Sequence, residues 1–290
     1  MLCDLHIHSF NSSGSQTVEE ICKEAVSKNI KLISLTEDDT ISSYKELATL
    51  APKYGLNYIL GVEVSASLEG SLFRFLAYDF DINNTALQEL LASNTSVWED
   101  LGVKVVHVYA KYHHEVSMED YMKFEPKPGQ GGFKHNKYMN SIGKDGSFNA
   151  DMKFFMEHRD DTQAIKKAYR FKDVSEVLAV IHQAGGKAIV SAEYFKDKST
   201  FESMVEEIVA LGVDGFECYR KLDKELVDAM IDYAQKHNML ITGGGNGHGT
   251  WADPTKYSIG LSEVNIDDLD LGSIKIQTYK RKNKHVNKEV

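Results

Sequence analysis

Asp4-Leu5-His6-Ile7-His8-Ser9 is the stretch from which the rest of the chain can be read. In a β-strand successive side chains alternate between faces, so His6 and His8 share one face and Leu5 and Ile7 the other. Two imidazoles two residues apart on one face can grip a single divalent ion. The alternative for this stretch by itself, the lesser of the two, is a half-buried strand whose polar face happens to be histidine, and the surrounding sequence weighs further against it. After a polar loop, Thr17-Val18-Glu19-Glu20 has capping-box spacing. The helix it starts carries Val18, Ile21, Cys22, Ala25 and Val26 on one stripe. An apolar strand over residues 31–36 follows and ends in Glu37-Asp38-Asp39. Strand, helix and strand in succession make a βα unit of a parallel sheet. A second apolar strand over residues 58–65 contains one charge, Glu63. A carboxylate buried there needs a cation or several hydrogen-bond donors, because an unpaired one costs several kcal/mol.

A chain of 290 residues with 42% apolar residues can bury a large core, as one α/β barrel or two small domains. The formal charge of −10 and a pI near 5.6 argue against general nucleic-acid or anionic-membrane binding. Cys3, Cys22 and Cys218 are scattered without a CxxC pair, the pattern of reduced thiols in a cytoplasmic protein. No charged-then-apolar leader and no apolar run near the ~18 residues of a membrane span is present. A cytoplasmic location is the expectation.

A turn at Leu68-Glu69-Gly70-Ser71 precedes a strand over 72–78 with Arg74 among aromatic neighbours. The sequence then changes character. Helices are expected over 84–91 and 98–112, and the loop over 125–132 holds Pro126 and Pro128. Lys134, His135, Lys137, Arg159, Lys166, Lys167 and Arg170 are interleaved there with Phe133, Tyr138, Phe154, Phe155 and Tyr169. We read residues from about 100 to 172 as a helical insertion in a single domain over 1–290, because the βα rhythm resumes directly after it. Its basic residues either line a substrate entrance or form a solvated helix surface. Strands over 187–191, 214–219 and 239–242 alternate with helices over 173–184, 200–211 and 223–236. The last strand runs into Gly243-Gly244-Gly245-Asn246-Gly247-His248-Gly249, a composition that suits a site loop at a strand's carboxyl end. The lysine-rich tail over 280–290 is expected to be mobile.

With Asp-Leu-His-Ile-His-Ser, Gly61-Val62-Glu63-Val64-Ser65, Gly215-Phe216-Glu217-Cys218-Tyr219 and the glycine-rich loop at His248 in this order, the chain resembles the PHP (polymerase and histidinol phosphatase) family. The stand-alone phosphoesterases of that family are the nearest in pattern. The resemblance covers most of the chain, the insertion least. It implies a distorted (β/α)7, TIM-like barrel whose strand ends hold two or three Mn, Fe or Zn ions that activate water and hold phosphate. The family's pattern survives at His6, His8, Glu63 and His248 and departs elsewhere. Ser13 stands where the family has an aspartate ligand, Asp38 and Arg74 where it has histidines, Ala192 where an Ala-His-Pro motif has its histidine, and Asn246 where it has an aspartate.

These departures imply a degenerate site. His6, His8 and Glu63, with neutral Asn246 as a weak fourth group and His248 nearby, would hold one divalent ion (Mn, Fe or Zn), or none in a given preparation. Asp38 offers oxygen to a hard ion. Arg74 is expected to point into the cleft, contact Glu63 or a bound anion, and substitute a guanidinium for a lost ion. The implied function is hydrolysis of small phosphate esters or nucleotides, with activity reduced or lost. The alternative is a non-catalytic PHP fold that binds a phosphorylated ligand or a partner protein. No residue stands out in the sequence as the acid for the leaving oxygen.

Overall fold

The computed structural model describes residues 1–166 and 170–279. The first part runs β1 (Leu2–Ile7), α1 (Val18–Ser27), β2 (Ile30–Leu35), α2 (Tyr44–Lys53), β3 (Asn57–Tyr58), β4 (Gly61–Leu68) and β5 (Ser71–Tyr78). Helices α3 (Thr85–Tyr112), α4 (Met118–Lys123), α5 (Lys134–Ser141), α6 (Phe148–Glu157) and α7 (Arg159–Lys166) follow. The last part is α8 (Val174–Gln183), β6 (Lys187–Ser191), α9 (Lys198–Ala210), β7 (Gly215–Tyr219), α10 (Lys224–Lys236) and β8 (Leu240–Gly243). The 280–290 tail, and Lys167 and Tyr169 of the insertion, lie outside the described residues.

The expected (β/α)7 barrel does not form. The strands make a three-stranded parallel sheet, β1-β2-β3, and a separate five-stranded mixed sheet, β4-β5-β6-β7-β8. The two meet through isolated bridges, Ile7 with Gly247 and Asp38 with Glu63. Two local causes are visible. Glu69 and Gly70 both take positive φ, 51° and 80°, the two-residue hairpin turn that joins antiparallel strands. β5 therefore runs antiparallel to β4 and β6, where a barrel would need a helical crossover and a parallel strand. The strand expected over 58–65 is also split, with Asn57–Tyr58 in one sheet and Gly61–Leu68 in the other. Gly61 passes so close to β2 that an added Cβ would sit 2.3 Å from Ser34 Oγ.

Each sheet covers its outer face with helices. Phe75, Val190 and Phe216 of the larger sheet pack with Leu178 and Ile181 of α8, Phe201 and Ile208 of α9 and Met230 of α10. Ile33 of β2 packs with Ile21 of α1 and Leu47 of α2. Between the sheets lies a third apolar layer with Cys3, Leu5, Leu32, Leu76, Tyr78 and Ile189. The simple alternation expected for β1 is not kept: its pairing with β2 slips between Asp4 and Ile7. As a result Leu5 joins the inner layer, whereas Ile7 joins the helix-facing core.

The two helices expected over 84–91 and 98–112 are one, α3. The polar residues that looked like a break are used in tertiary contacts. Asn94 donates to Asp39 Oδ1 at 2.7 Å and to the Ser65 carbonyl at 2.8 Å, and Thr95 donates to the Asp39 carbonyl at 3.1 Å. The second half of α3 builds its own core with α4 to α7 through Leu101, Val105, Tyr109, Tyr121, Tyr138 and Phe154. Lys137 of α5 ties this unit to the loop after β1, donating to the carbonyls of Phe10 at 2.9 Å and Ser12 at 2.7 Å.

Candidate metal and phosphate site

β1 carries His6, and His8 follows just beyond its end. His6 Nδ1 lies 2.9 Å from Glu217 Oε1 on β7. With the carboxylate accepting, the ring proton sits on Nδ1 and the lone pair on Nε2, the arrangement in which an outer carboxylate orients a metal-binding imidazole. Burial, helped by the nearby His8 charge, holds the His6 pKa well below its ordinary value, so the ring is neutral. Its Nε2 is buried without a hydrogen-bond partner and faces Glu63 Oε1 at 3.7 Å.

Glu63 comes from β4, and its other oxygen lies 3.9 Å from His8 Nε2. One ligand atom each from His6, His8 and Glu63 lies within 4.8 Å of the others. His8 Nδ1 approaches Asp38 Oδ2 at 3.2 Å, but off-line for a hydrogen bond, so neither nitrogen of this buried ring has a hydrogen-bond partner. His6 Nε2 and His8 Nε2, both buried without a hydrogen-bond partner and both facing Glu63, would be costly if left so. They fit a divalent ion, and a donor set of two nitrogens and one oxygen suits Mn, Fe or Zn.

The charges around this group are strongly coupled. Burial pushes the Glu63 carboxyl up to about 7 against the pull of Arg74. Burial opposes a charge on His8, but Asp38 and Glu63 outweigh it and raise the ring to about 9. Burial opposes ionisation of Asp38 too, yet His8, Arg74 and the Ser13 hydroxyl hold it well below the usual carboxylate range. Ser13 donates to Asp38 Oδ2 at 2.5 Å. Arg74 reaches across from β5, with Nη1 3.0 Å from Glu63 Oε2 and 3.3 Å from Asp38 Oδ1. The hairpin register makes this possible by setting Arg74 opposite Ser65, two residues along β4 from Glu63.

His248 stands beside the group. Its ring stacks on His8 at 4.3 Å between centroids, and its Nδ1 donates to the Asn246 carbonyl at 2.8 Å. Asn246, at φ 49°, turns its amide to Glu193, with Nδ2 3.1 Å from Oε2. Ala192 is buried and offers no ligand atom, and its neighbour Glu193 is paired with Arg220. His8, Glu63, Arg74, Glu193, Asn246 and His248 thus line one cleft of about 200 Å³.

Several buried groups that hold the site are not apparent from the sequence. Asp4 accepts from the backbone N–H groups of His6 at 3.1 Å, Gly245 at 3.0 Å and Gly260 at 2.7 Å, binding the first strand to the glycine-rich loop. Gly244 of that loop packs so tightly on β1 that an added Cβ would lie 2.5 Å from the His6 nitrogen. Glu37 accepts from the Ser9 backbone N–H at 3.0 Å, the Ser12 hydroxyl at 2.5 Å and the Ser9 hydroxyl. Glu217 carries a readable signal, a single charge in an otherwise apolar strand, as Glu63 does. If Glu217 orients His6, Glu217→Gln should weaken Mn²⁺ affinity roughly tenfold to a hundredfold by calorimetry. Unchanged affinity would remove that role.

The PHP domain profile matches residues 4–212. The chain belongs to the PHP domain family. A 5′-3′ exoribonuclease of Haemophilus influenzae is 23% identical over 216 residues, covering 74% of this chain and 77% of that protein. A 3′,5′-nucleoside bisphosphate phosphatase of Chromobacterium violaceum is 38% identical over 64 residues, 22% of either chain. Both are named for cleaving phosphoester bonds. A crystal structure from Bifidobacterium adolescentis assigned to the metal-dependent phosphoesterases aligns with a TM-score of 0.72 at 20% identity, covering 92% of this chain and 93% of that one. The fold is thus shared with that structure at low identity. Among the described residues no helix is long and apolar enough to cross a membrane.

Proposed function

We propose that this PHP protein acts on small phosphate esters or nucleotides with a single divalent ion, held by His6, His8 and Glu63, and with Arg74 in place of a further cation. The observation that carries the reading is the His6 ring, neutral, oriented by Glu217, and left with a buried unpartnered Nε2 facing Glu63. An ion held there would supply Lewis acidity, lowering the pKa of water and polarising a phosphoryl oxygen. The chain's own residues do the rest. Arg74, whose side chain is 31% exposed, stands at the cleft mouth, where a guanidinium can exchange its contacts for a bidentate grip on a phosphate. Glu217 and Asp38 hold the two imidazoles in place, and burial of the His6–Glu63 pair keeps bulk water from competing for their ligand atoms. The substitutions at Ser13, Asp38, Arg74, Ala192 and Asn246 reduce the anchors for more ions, so slow turnover is expected.

A second reading, a non-catalytic phosphate-binding PHP protein, is favoured by one observation. Arg74 already spans both Glu63 and Asp38, the carboxylates a second ion would need. Elemental analysis of the purified protein, with phosphatase assays on nucleotides and sugar phosphates, separates the two. The first reading expects no more than one Mn, Fe or Zn per chain, and slow hydrolysis that Glu63→Ala abolishes. One ion without hydrolysis establishes the second reading, and two fully occupied ions per chain refute the single-ion site.

A further inference from the structure

The outer side of the ion group is organised by a buried arginine. Arg220 directly follows β7, and residues three apart on an unbroken strand face opposite sides. The pairing of β7 with β8 slips between Glu217 and Tyr219, and this irregularity brings Arg220 round to the side of Glu217. Its side chain, 3% exposed, pairs through Nη2 with Glu193, donates from Nη1 to the Gly244 carbonyl at 3.3 Å and sets Nε 3.8 Å from Glu217 Oε2. Burial opposes the guanidinium charge, but Glu217 and Glu193 outweigh it and raise its pKa. One of these carboxylates leads to β1 and the other to the glycine-rich loop. Glu217 accepts from His6, and from the Ser191 hydroxyl at 2.5 Å. Glu193 accepts from Asn246 Nδ2 at 3.1 Å. An amide whose nitrogen is engaged has its oxygen turned the other way. Asn246 Oδ1 is buried without a hydrogen-bond partner, in a residue that lines the cleft with His8 and Glu63.

We infer that Glu193, held by Arg220, is the positioning residue that presents Asn246 Oδ1 to the ion, so that asparagine rather than aspartate is the competent residue at position 246 of this chain. The inference rests on the single-ion reading above and deepens it. Arg220 can only donate, and a carboxylate paired with it can only accept. The nitrogen of the Asn246 amide is therefore the end drawn to Glu193, and the oxygen is the end left for an ion. Aspartate is ordinarily the stronger ligand for its charge, but here it would set a carboxylate oxygen against Glu193 Oε2, where the amide donor now lies. Glutamine at position 193 would reverse this polarity. Arg220 would take the glutamine oxygen, leaving its nitrogen to face position 246. An asparagine there would have to turn its own oxygen away from the ion, whereas an aspartate would accept with one oxygen and ligate with the other.

A cycle of Glu193→Gln and Asn246→Asp, both isosteric, tests this. Mn²⁺ affinity is titrated by calorimetry, and melts in chelator show that each variant folds. Glu193→Gln is expected to lower Mn²⁺ affinity about tenfold. Asn246→Asp alone is expected to bind no more tightly than the parent and to melt lower in chelator. The double variant is expected to bind at least about tenfold more tightly than the parent and to recover the melting temperature. A role for Glu193 confined to holding the fold would shift the melts without making the effect of Asn246→Asp on affinity depend on position 193. If Glu193→Gln binds Mn²⁺ as the parent does, or if Asn246→Asp raises affinity by the same factor in both backgrounds, the inference is overturned. The single-ion reading then still stands, provided that the parent binds Mn²⁺ and Glu63→Ala does not. A parent that binds no Mn²⁺ refutes that reading and this inference with it.

Discussion

Arg74→Ala is expected to cost the metal-free protein about 2 kcal/mol of stability, measured by urea denaturation in the presence of a chelator. The guanidinium lies 3.0 Å from Glu63 and 3.3 Å from Asp38, two carboxylates that are otherwise buried. Breaking a fully buried ion pair costs about 3–5 kcal/mol, because the remaining charge has neither partner nor water. Two features lower the figure here. The Arg74 side chain is 31% exposed, so water would partly replace it. Glu63, pushed up to about 7 by burial, can also take a proton rather than stay charged. Asp38 keeps His8 and Ser13 as partners. Saturating Mn²⁺ should shrink the deficit, since an ion at Glu63 supplies the missing positive charge. The double variant Arg74→His with Ala192→His should raise the metal content of the purified protein above that of the parent. An Arg74→Ala protein as stable as the parent in chelator, with unchanged phosphate affinity, would make the substitution at this position drift and end the idea that one cation replaced another.

The parts of this site that are legible in the sequence are those whose chemistry conflicts with their local surroundings. Glu63 sits in an apolar strand, and the two histidines alternate with apolar residues, so each demands a partner on sequence grounds alone. Glu217 sends the same signal from Phe216-Glu217-Cys218 and is readable in principle. Asp4 and Glu37 are not, because nothing nearby in sequence shows that their partners are backbone N–H groups of Gly245 and Gly260 or of Ser9. Those bonds exist only once distant segments meet.

The departure from a closed barrel is hidden for a related reason. Periodicity finds most of the strands and helices, but architecture depends on which strands pair, and that is decided at two short places. The positive φ of Glu69 and Gly70 reverses the chain, and Gly61 lets it leave one sheet for the other by passing closely over Ser34. A family resemblance is carried by motif residues and does not carry the closed barrel. Site residues are tied to motifs, whereas sheet closure depends on turns between them.

Divalent-metal affinity should rise about a hundredfold between pH 7 and 9, and calorimetry in buffers of different ionisation enthalpy should show proton release on binding throughout that range. The reason is His8, raised to about 9, where Asp38 and Glu63 overcome the opposing effect of burial. An imidazole must give up its proton to bind an ion, so each pH unit below about 9 costs roughly 1.4 kcal/mol of apparent affinity. Below about 7 the Glu63 proton adds to the cost, since burial raises that carboxyl to about 7, and the dependence steepens. The same shifts fix the sign for the metal-free protein. Glu63 binds more protons folded than unfolded between about 4.5 and 7, and His8 does so between about 6.5 and 9. Stability falls with pH wherever the folded state holds more protons. The contribution of these two groups, read as the difference between melts of the parent and of Glu63→Gln or His8→Gln in chelator, should therefore drop progressively across pH 4.5 to 9. It runs against the opposite contributions of His6 and Lys137, whose pKa values are lowered. With saturating Mn²⁺ the drop should flatten, because an ion then occupies the place of the protons. A metal affinity independent of pH from 7 to 9, with no proton released, would mean that the ion does not bind through His8.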